Sequence, residues 1–145
     1  MANPLVSQGF LNRVRGALSV TDTPALNVSA SYLAKDGISL RPDGPATDII
    51  PTMTGTVGSQ APYQQVTLTV HLLKTQGLGE SYRQRFLTDT SLGEIVVTPD
   101  ATTFGNITLL NCYLVNFNEL AFSGMDPAFV VTISGYMVTN DNMWV

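Results

Sequence analysis

Charge is what this chain has least of. Acidic and basic residues make up 12% of its 145 residues, about half the ~25% usual for soluble domains. Its seven basic and eleven acidic groups over the ~7,000 Å² expected of a monomer leave roughly one charge per 400 Å². Either Thr, Asn, Ser and Gln keep such a surface wet, or partners cover much of it. Large exposed apolar patches usually mark contact sites, which favours the second reading. The net charge of −4 and pI near 4.6 argue against a nucleic-acid-binding module, which needs a basic stripe to neutralise phosphates. Here Arg13, Arg15, Lys35, Arg41, Lys74, Arg83 and Arg85 are scattered, so no electrostatic membrane anchor is expected either.

Other absences narrow the chemistry. The single cysteine, Cys112, excludes an internal disulfide and a cysteine-built metal site, and its apolar neighbours (Leu109, Leu110, Tyr113, Leu114) make it a small core filler. Met1 to Gln8 lack a basic start and an apolar stretch, so no secretory signal is expected. No run approaches the ~18 apolar residues of a membrane span. The expectation is a soluble protein made in a reducing cytoplasm, in which the sequons at Asn27 and Asn106 carry no meaning. The one histidine, His71, sits at a polar position of an alternating strand with no nucleophile or co-ligand nominated beside it. The aspartates lie mostly in turns, where they form and cap them. Glu94 and Glu119 could pair as acid and base only on the strength of residue type. Thr54-Gly55-Thr56-Val57-Gly58-Ser59 lacks the lysine and helix of a phosphate loop. Neither catalytic residue nor metal nor cofactor is expected.

What is present is a period of two. Val66, Leu68, Val70 and Leu72 alternate with Thr67, Thr69, His71 and Leu73, which predicts a half-buried strand. Leu26, Val28, Ala30 and Tyr32 alternate in the same way, and Phe10, Val14, Leu18 and Val20 share a face. Asn106 to Phe122 and Ala128 to Val138 predict a long hairpin whose loop, Ser123-Gly124-Met125-Asp126-Pro127-Ala128, supplies the Gly, Asp and Pro of a turn. The first of these is apolar on both faces at its start, so one face should be covered from outside the domain. A short strand is expected at Glu94 to Thr98. Leu78, Tyr82 and Phe86 recur at four-residue spacing and predict one helix over Leu78 to Leu87.

The segment from Ala34 to Pro62 shows little periodicity and carries four prolines and four glycines, yet Ile49, Ile50, Met53 and Val57 are too apolar for a solvated linker. A long arm ordered against a neighbouring subunit explains both facts. An internal hairpin, running out along Ile38 to Arg41, turning at Pro42-Asp43-Gly44 and returning to Met53, is the alternative.

The order of elements resembles the tail tube proteins of tailed bacteriophages, the contractile kind in particular, and more distantly the tube protein of the type VI secretion system. The best local match runs from Gln60-Ala61-Pro62-Tyr63-Gln64-Gln65-Val66-Thr67-Leu68-Thr69-Val70 into Glu80-Ser81-Tyr82-Arg83-Gln84-Arg85-Phe86-Leu87 and on to Leu92-Gly93-Glu94-Ile95. The resemblance implies a mainly β, antiparallel sandwich or barrel with one short flanking α-helix and a long Gly/Pro-bearing loop. It implies one domain over 1–145 with its arm at about 34–62. It implies a structural virion protein, assembled in the host cytoplasm, whose hexameric rings stack into a hollow tube for DNA. The arm residues Ile49, Ile50, Met53 and Val57 would then reach an adjacent ring. Partners would be further copies, the tail sheath, the tape measure and the baseplate, with no membrane. Double-stranded DNA would pass without specific binding, so the bore should be neutral or acidic. Asn116, Asn118 and Glu119 are the candidate lining, with Arg13, Arg15, Arg83 and Arg85 outside it. A baseplate tube-initiator, a tail terminator and, in another class, a small-molecule-binding β-barrel are the competing readings.

Overall fold

A computed structural model describes residues 15–74, 77–100, 104–117, 125 and 128–141. Among the described residues, eight strands and one α-helix follow one another: β1 (Gly16–Val20), β2 (Leu33–Pro42), β3 (Thr47–Pro51), β4 (Thr56–Gln60), β5 (Tyr63–Leu73), α1 (Gly77–Thr88), β6 (Ser91–Pro99), β7 (Ile107–Phe117) and β8 (Ala128–Val138). Six of the strands form one sheet in the order β1-β6-β7-β8-β5-β2, and β3 and β4 form a separate two-stranded sheet. All pairings are antiparallel. The large sheet curls into a half-barrel, and a Cβ on Gly16 of β1 would lie 3.5 Å from Ile38 of β2. The expected antiparallel β fold with one helix therefore holds.

The core fills the concave side. Alternation delivers Val66, Leu68, Val70 and Leu72 of β5 inward, directly opposite Gly135, Ile133, Val131 and Phe129 of β8. Leu18 and Val20 of β1, Leu92, Ile95 and Val97 of β6, and Leu109, Cys112 and Leu114 of β7 complete the layer. Inward residues of β7 shift from odd to even numbers because the ladder to β8 skips between Leu110 and Tyr113, with Asn111 at φ 49°. That is a bulge, one extra residue against the partner strand. It explains how a strand apolar in nearly every position still buries a single face, leaving Tyr113 and Val115 half-exposed on the other. Close approach at the bulge demands a glycine opposite: a Cβ on Gly135 would meet Cys112 Sγ at 2.6 Å and Leu110 O at 3.0 Å. Burial pushes the Cys112 thiol up to about 11.

α1 closes one end. Its Leu78 and Tyr82 are buried, and the Tyr82 hydroxyl donates to Leu26 O at 2.7 Å. Burial raises the Tyr82 phenol above its ordinary range. Phe86 stacks edge-on against Phe117 (5.1 Å between ring centres), and Phe117 against Phe129 (5.4 Å). Each such pair adds ~0.5–1.5 kcal/mol beyond area burial, and together they tie the helix to β7 and β8.

Three expectations need correction. Leu26 to Tyr32 is not a strand: 3₁₀ turns occupy Pro24–Leu26 and Ala30–Tyr32, with a lone bridge from Val28 to Leu18. The Asn27 side chain accepts from Val20 N at 2.7 Å, and Tyr32 N donates to Ser29 O. Such local bonds, with Pro24 fixing the first turn, outcompete a ladder. The strand expected to be apolar on both faces at its start does not bury that start fully: Ile107 is only half-buried there, at the open end of β7. Lastly, the Ala34 to Pro62 segment contains β2 and the whole β3–β4 hairpin. Its period was hidden in β2 by a register shift between Leu33 and Ile38, where Gly37 takes φ 64°. Ile38 to Arg41 pair with β5 rather than with a returning strand.

Candidate functional site

The β3–β4 hairpin is the part of the molecule that its own fold leaves unexplained. Register sets Ile50 opposite Val57 and Asp48 opposite Ser59 on one face, with Ile49 opposite Gly58 on the other. Ile49 is 64% exposed, Ile50 50%, Met53 104% and Val57 54%. An isolated two-stranded hairpin is marginally stable in water at best, and this one carries a single charge, Asp48, between Thr47 and Gln60. The four residues expected to form an arm are thus brought together on one projecting element. None of them packs on the half-barrel.

The root of the hairpin is held firmly. Asn140, at φ 51°, donates its amide to Ala61 O at 2.9 Å and to Ala46 O at 3.5 Å. Thr139 Oγ1 donates to Ala61 O, Ala61 N to Ala46 O, and Thr139 N to Pro62 O, all within 3.0 Å. Gln64 reaches Gly44 O, and Thr67 Oγ1 donates to Asp43 Oδ2 at 2.6 Å. Sequence reasoning missed Asn140 and Thr139. The available signal was an Asn-Asp pair directly after the last strand, since Asn tolerates positive φ and bonds carbonyls across a turn.

The second surface is the convex face of the sheet. Cross-strand register lines up Asn116, Thr132, Thr69 and Ser39 in one row, and Tyr113, Ser134, Thr67 and Arg41 in the next. Arg41 lies 3.6 Å from Asp43. Hydroxyl and amide groups dominate these rows. Asn116 is exposed on this side, while Asn118 and Glu119 lie outside the described residues, as does Arg13. Arg15 pairs with Asp100 at 2.6 Å beside the β1 edge. Arg83 chelates Glu80 on α1 and, with Gln84, holds the Glu80 carboxyl down to about 2. Arg85 donates to Ser91 O at 2.8 Å.

Among the described residues, no group of three or more His, Cys, Asp or Glu side chains converges to hold a metal ion, and no helix is long and apolar enough to cross a membrane. His71 Nδ1 sits 3.0 Å from Gly37 O, a strand-to-strand bond. The described grooves are open surface features: one between α1 and the 3₁₀ turn at Pro24–Leu26, one by Ile107 and Val138, one by Arg15 and Asp100.

No family model matches this chain, and no curated protein matches it. Among solved structures it is similar to the anti-feeding prophage cap, a tube-terminating cap, at 13% identity and TM-score 0.46, covering 94% of this chain and 92% of that one. It is similar to a chain of the PVC sheath-tube complex of an extracellular contractile injection system at 12% identity and TM-score 0.49, covering 91% and 90%. It is similar to a chain of the PVC sheath/tube terminator at 14% identity and TM-score 0.46, covering 92% and 96%.

Proposed function

We propose that this chain is a structural subunit of a contractile-tail tube, one domain over 1–145 whose copies join into hexameric rings stacked into a hollow tube. The carrying observation is the projecting hairpin. It is apolar on both faces and at its tip, fixed at its root, and covered by none of the described residues. A free monomer gains nothing from such an element, whereas a polymer gains a repeated contact.

The convex face suits a bore. A tube that passes a polyanion must not hold it, and every unpaired cation facing inward would offer a phosphate contact repeated in each subunit. The hydroxyl and amide rows fit that need, with Arg41 neutralised by Asp43. In this reading the sheath lies outside, the tape measure occupies the bore during assembly, the baseplate sits at one end, and the particle is a phage tail assembled in the host cytoplasm. The work is structural and needs no catalytic residue. A small-molecule barrel needs an interior left open, and the concave side here is filled from Leu18 to Ile133.

Negative-stain micrographs of the purified chain test the proposal. Long hollow tubes with sixfold rings are expected. Single rings that never stack would favour a terminator or tube-initiator, and a monomer at all concentrations would refute self-assembly.

A further inference from the structure

We infer that the groove between α1 and the 3₁₀ turn at Pro24–Leu26 receives the β3–β4 hairpin of a second copy of this chain. The inference rests on the self-assembly reading and adds the acceptor. Its first ground is placement. β5 leaves the hairpin at Tyr63 and reaches the α1 end at Leu73, a rise of about 35 Å. The hairpin root is bonded to the Tyr63 end through Thr139 and Asn140. α1 packs at the other end, where Gly79 comes within 3.9 Å of Leu73 O for a Cβ placed on it. The 3₁₀ turn is at that end too, through Tyr82 and Leu26. A hairpin at one pole cannot fill a groove at the other pole of the same molecule. The other two described grooves, at Ile107/Val138 and Arg15/Asp100, share the hairpin's own pole.

Chemistry supplies the second ground. The groove has a volume of about 360 Å³, with Thr23, Ala25 and Leu26 on one wall and Ser81, Arg85 and Thr88 on the other. The hairpin face that carries Ile50 and Val57 also carries Asp48, the hairpin's only charge. In the groove Glu80 is already taken by Arg83 and Gln84, which leaves Arg85 as the cation of the wall. Arg85 is 29% exposed, donates Nη2 to Ser91 O at 2.8 Å and has Asp89 Oδ2 3.8 Å away, an ion pair too long to be a hydrogen bond. Its Nε is the one buried side-chain polar atom of the described residues with no hydrogen-bond partner. A carboxylate arriving with two aliphatic side chains would meet Ala25 and Leu26 on one wall and, on the other, the exposed part of the Arg85 guanidinium, whose nearest carboxylate, Asp89, stands 3.8 Å off. A patch at one pole that fits a groove at the other makes a heterologous contact, which propagates as an open stack.

The test is a cross-link in the full chain. Ser59, across from Asp48, and Ser81, on the groove wall, are both exposed and outside the core, so cysteine at either should leave the fold intact. With Ser59→Cys and Ser81→Cys in one chain, a short bis-maleimide should give a ladder of covalent multimers. An equal mixture of the two single variants should give dimers, and each single variant alone should give neither. Stacked tubes in micrographs without the Ser59–Ser81 cross-link would overturn the acceptor while leaving self-assembly standing. A protein that stays monomeric in scattering and micrographs would remove both. Asp48→Lys should raise the concentration needed for assembly by about tenfold, and an unchanged value would remove the ion pair from the contact.

Discussion

Replacing Ile50 and Val57 by serine separates the work of the hairpin from that of the half-barrel. The two side chains face each other across β3 and β4 and are half-exposed. Neither belongs to the core cluster or to the residues packed against it. Substitutions away from core, caps and networks change stability by about ±0.5 kcal/mol each, which in a domain of this size moves the melting temperature by no more than ~2–4 °C. Assembly is different. Full burial of an aliphatic side chain contributes ~1.5–3 kcal/mol, and about half of each is still exposed, so docking would bury ~1–1.5 kcal/mol apiece. The pair then contributes ~2–3 kcal/mol per contact, equal to a 30–150-fold rise in critical concentration at about 1.4 kcal/mol per decade. Circular dichroism melts and sedimentation of polymer against concentration read the two quantities. A critical concentration within threefold of the unmodified chain would refute the docking role. A melting temperature lowered by more than about 5 °C would show that the hairpin supports its own domain.

Four further outcomes follow from the packing. Ile133→Ala or Leu109→Ala should cost ~2–4 kcal/mol in denaturant melts, since both are fully buried, whereas Thr132→Asp on the convex face should harm assembly more than folding. Gly135→Ala should destabilise by ~1–3 kcal/mol because its Cβ lands 2.6 Å from Cys112 Sγ, and adding Cys112→Ala should recover part of that loss. Cys112 ionises near 9.0 when unfolded and near 11 when folded. The unfolded chain releases its proton first, so this thiol lowers stability as pH climbs from 9 to 11, by ~1.4 kcal/mol per unit, and Cys112→Ala should flatten that part of the slope. Asn140→Ala should loosen the hairpin root, read as faster hydrogen exchange at Ala61 with a loss of ~1 kcal/mol or less in global stability.

Strands whose period survives are legible from the residues alone. β8 runs over Ala128 to Val138 as the alternation of Phe129, Val131 and Ile133 requires, and α1 extends the Leu78, Tyr82, Phe86 spacing by a residue at each end. Legibility fails where a backbone irregularity or a side-chain bond interrupts the period. The bulge at Asn111 flips the inward set of β7, Gly37 breaks β2, and Asn27 folds a would-be strand into turns. The hairpin residues were identifiable by their misplaced apolarity, because Ile49, Ile50, Met53 and Val57 stand among prolines and glycines. Their strand pairing was not, since Pro51, Gly55 and Gly58 mask any alternation. Asn140 holds the root from nearly 80 residues away along the chain, a relation no local pattern carries.

Free strand edges tie these elements to assembly. An edge left unpaired is a template for any other chain. At β1 the outer edge is occupied where Leu18 and Val28 exchange two backbone bonds of 2.8 Å. Across the seam of the half-barrel β1 meets β2 through the Gly16 and Ile38 contact, with no ladder between them. The Ile38 side chain lies at that seam, and the outer backbone of β2 has no strand partner among the described residues. Among the described residues, the outer edges of β3 and β4 have neither a strand nor a cover. Two different edges result, a shielded one along the flank and an open one at a pole. Under the assembly reading they act in different directions: the flank joins neighbours side by side, and the hairpin reaches along the axis. A chain with so few charges to repel its own copies would otherwise associate in any orientation. Under that reading the pinned hairpin, with Asp48 as its single charge, gives the association its direction.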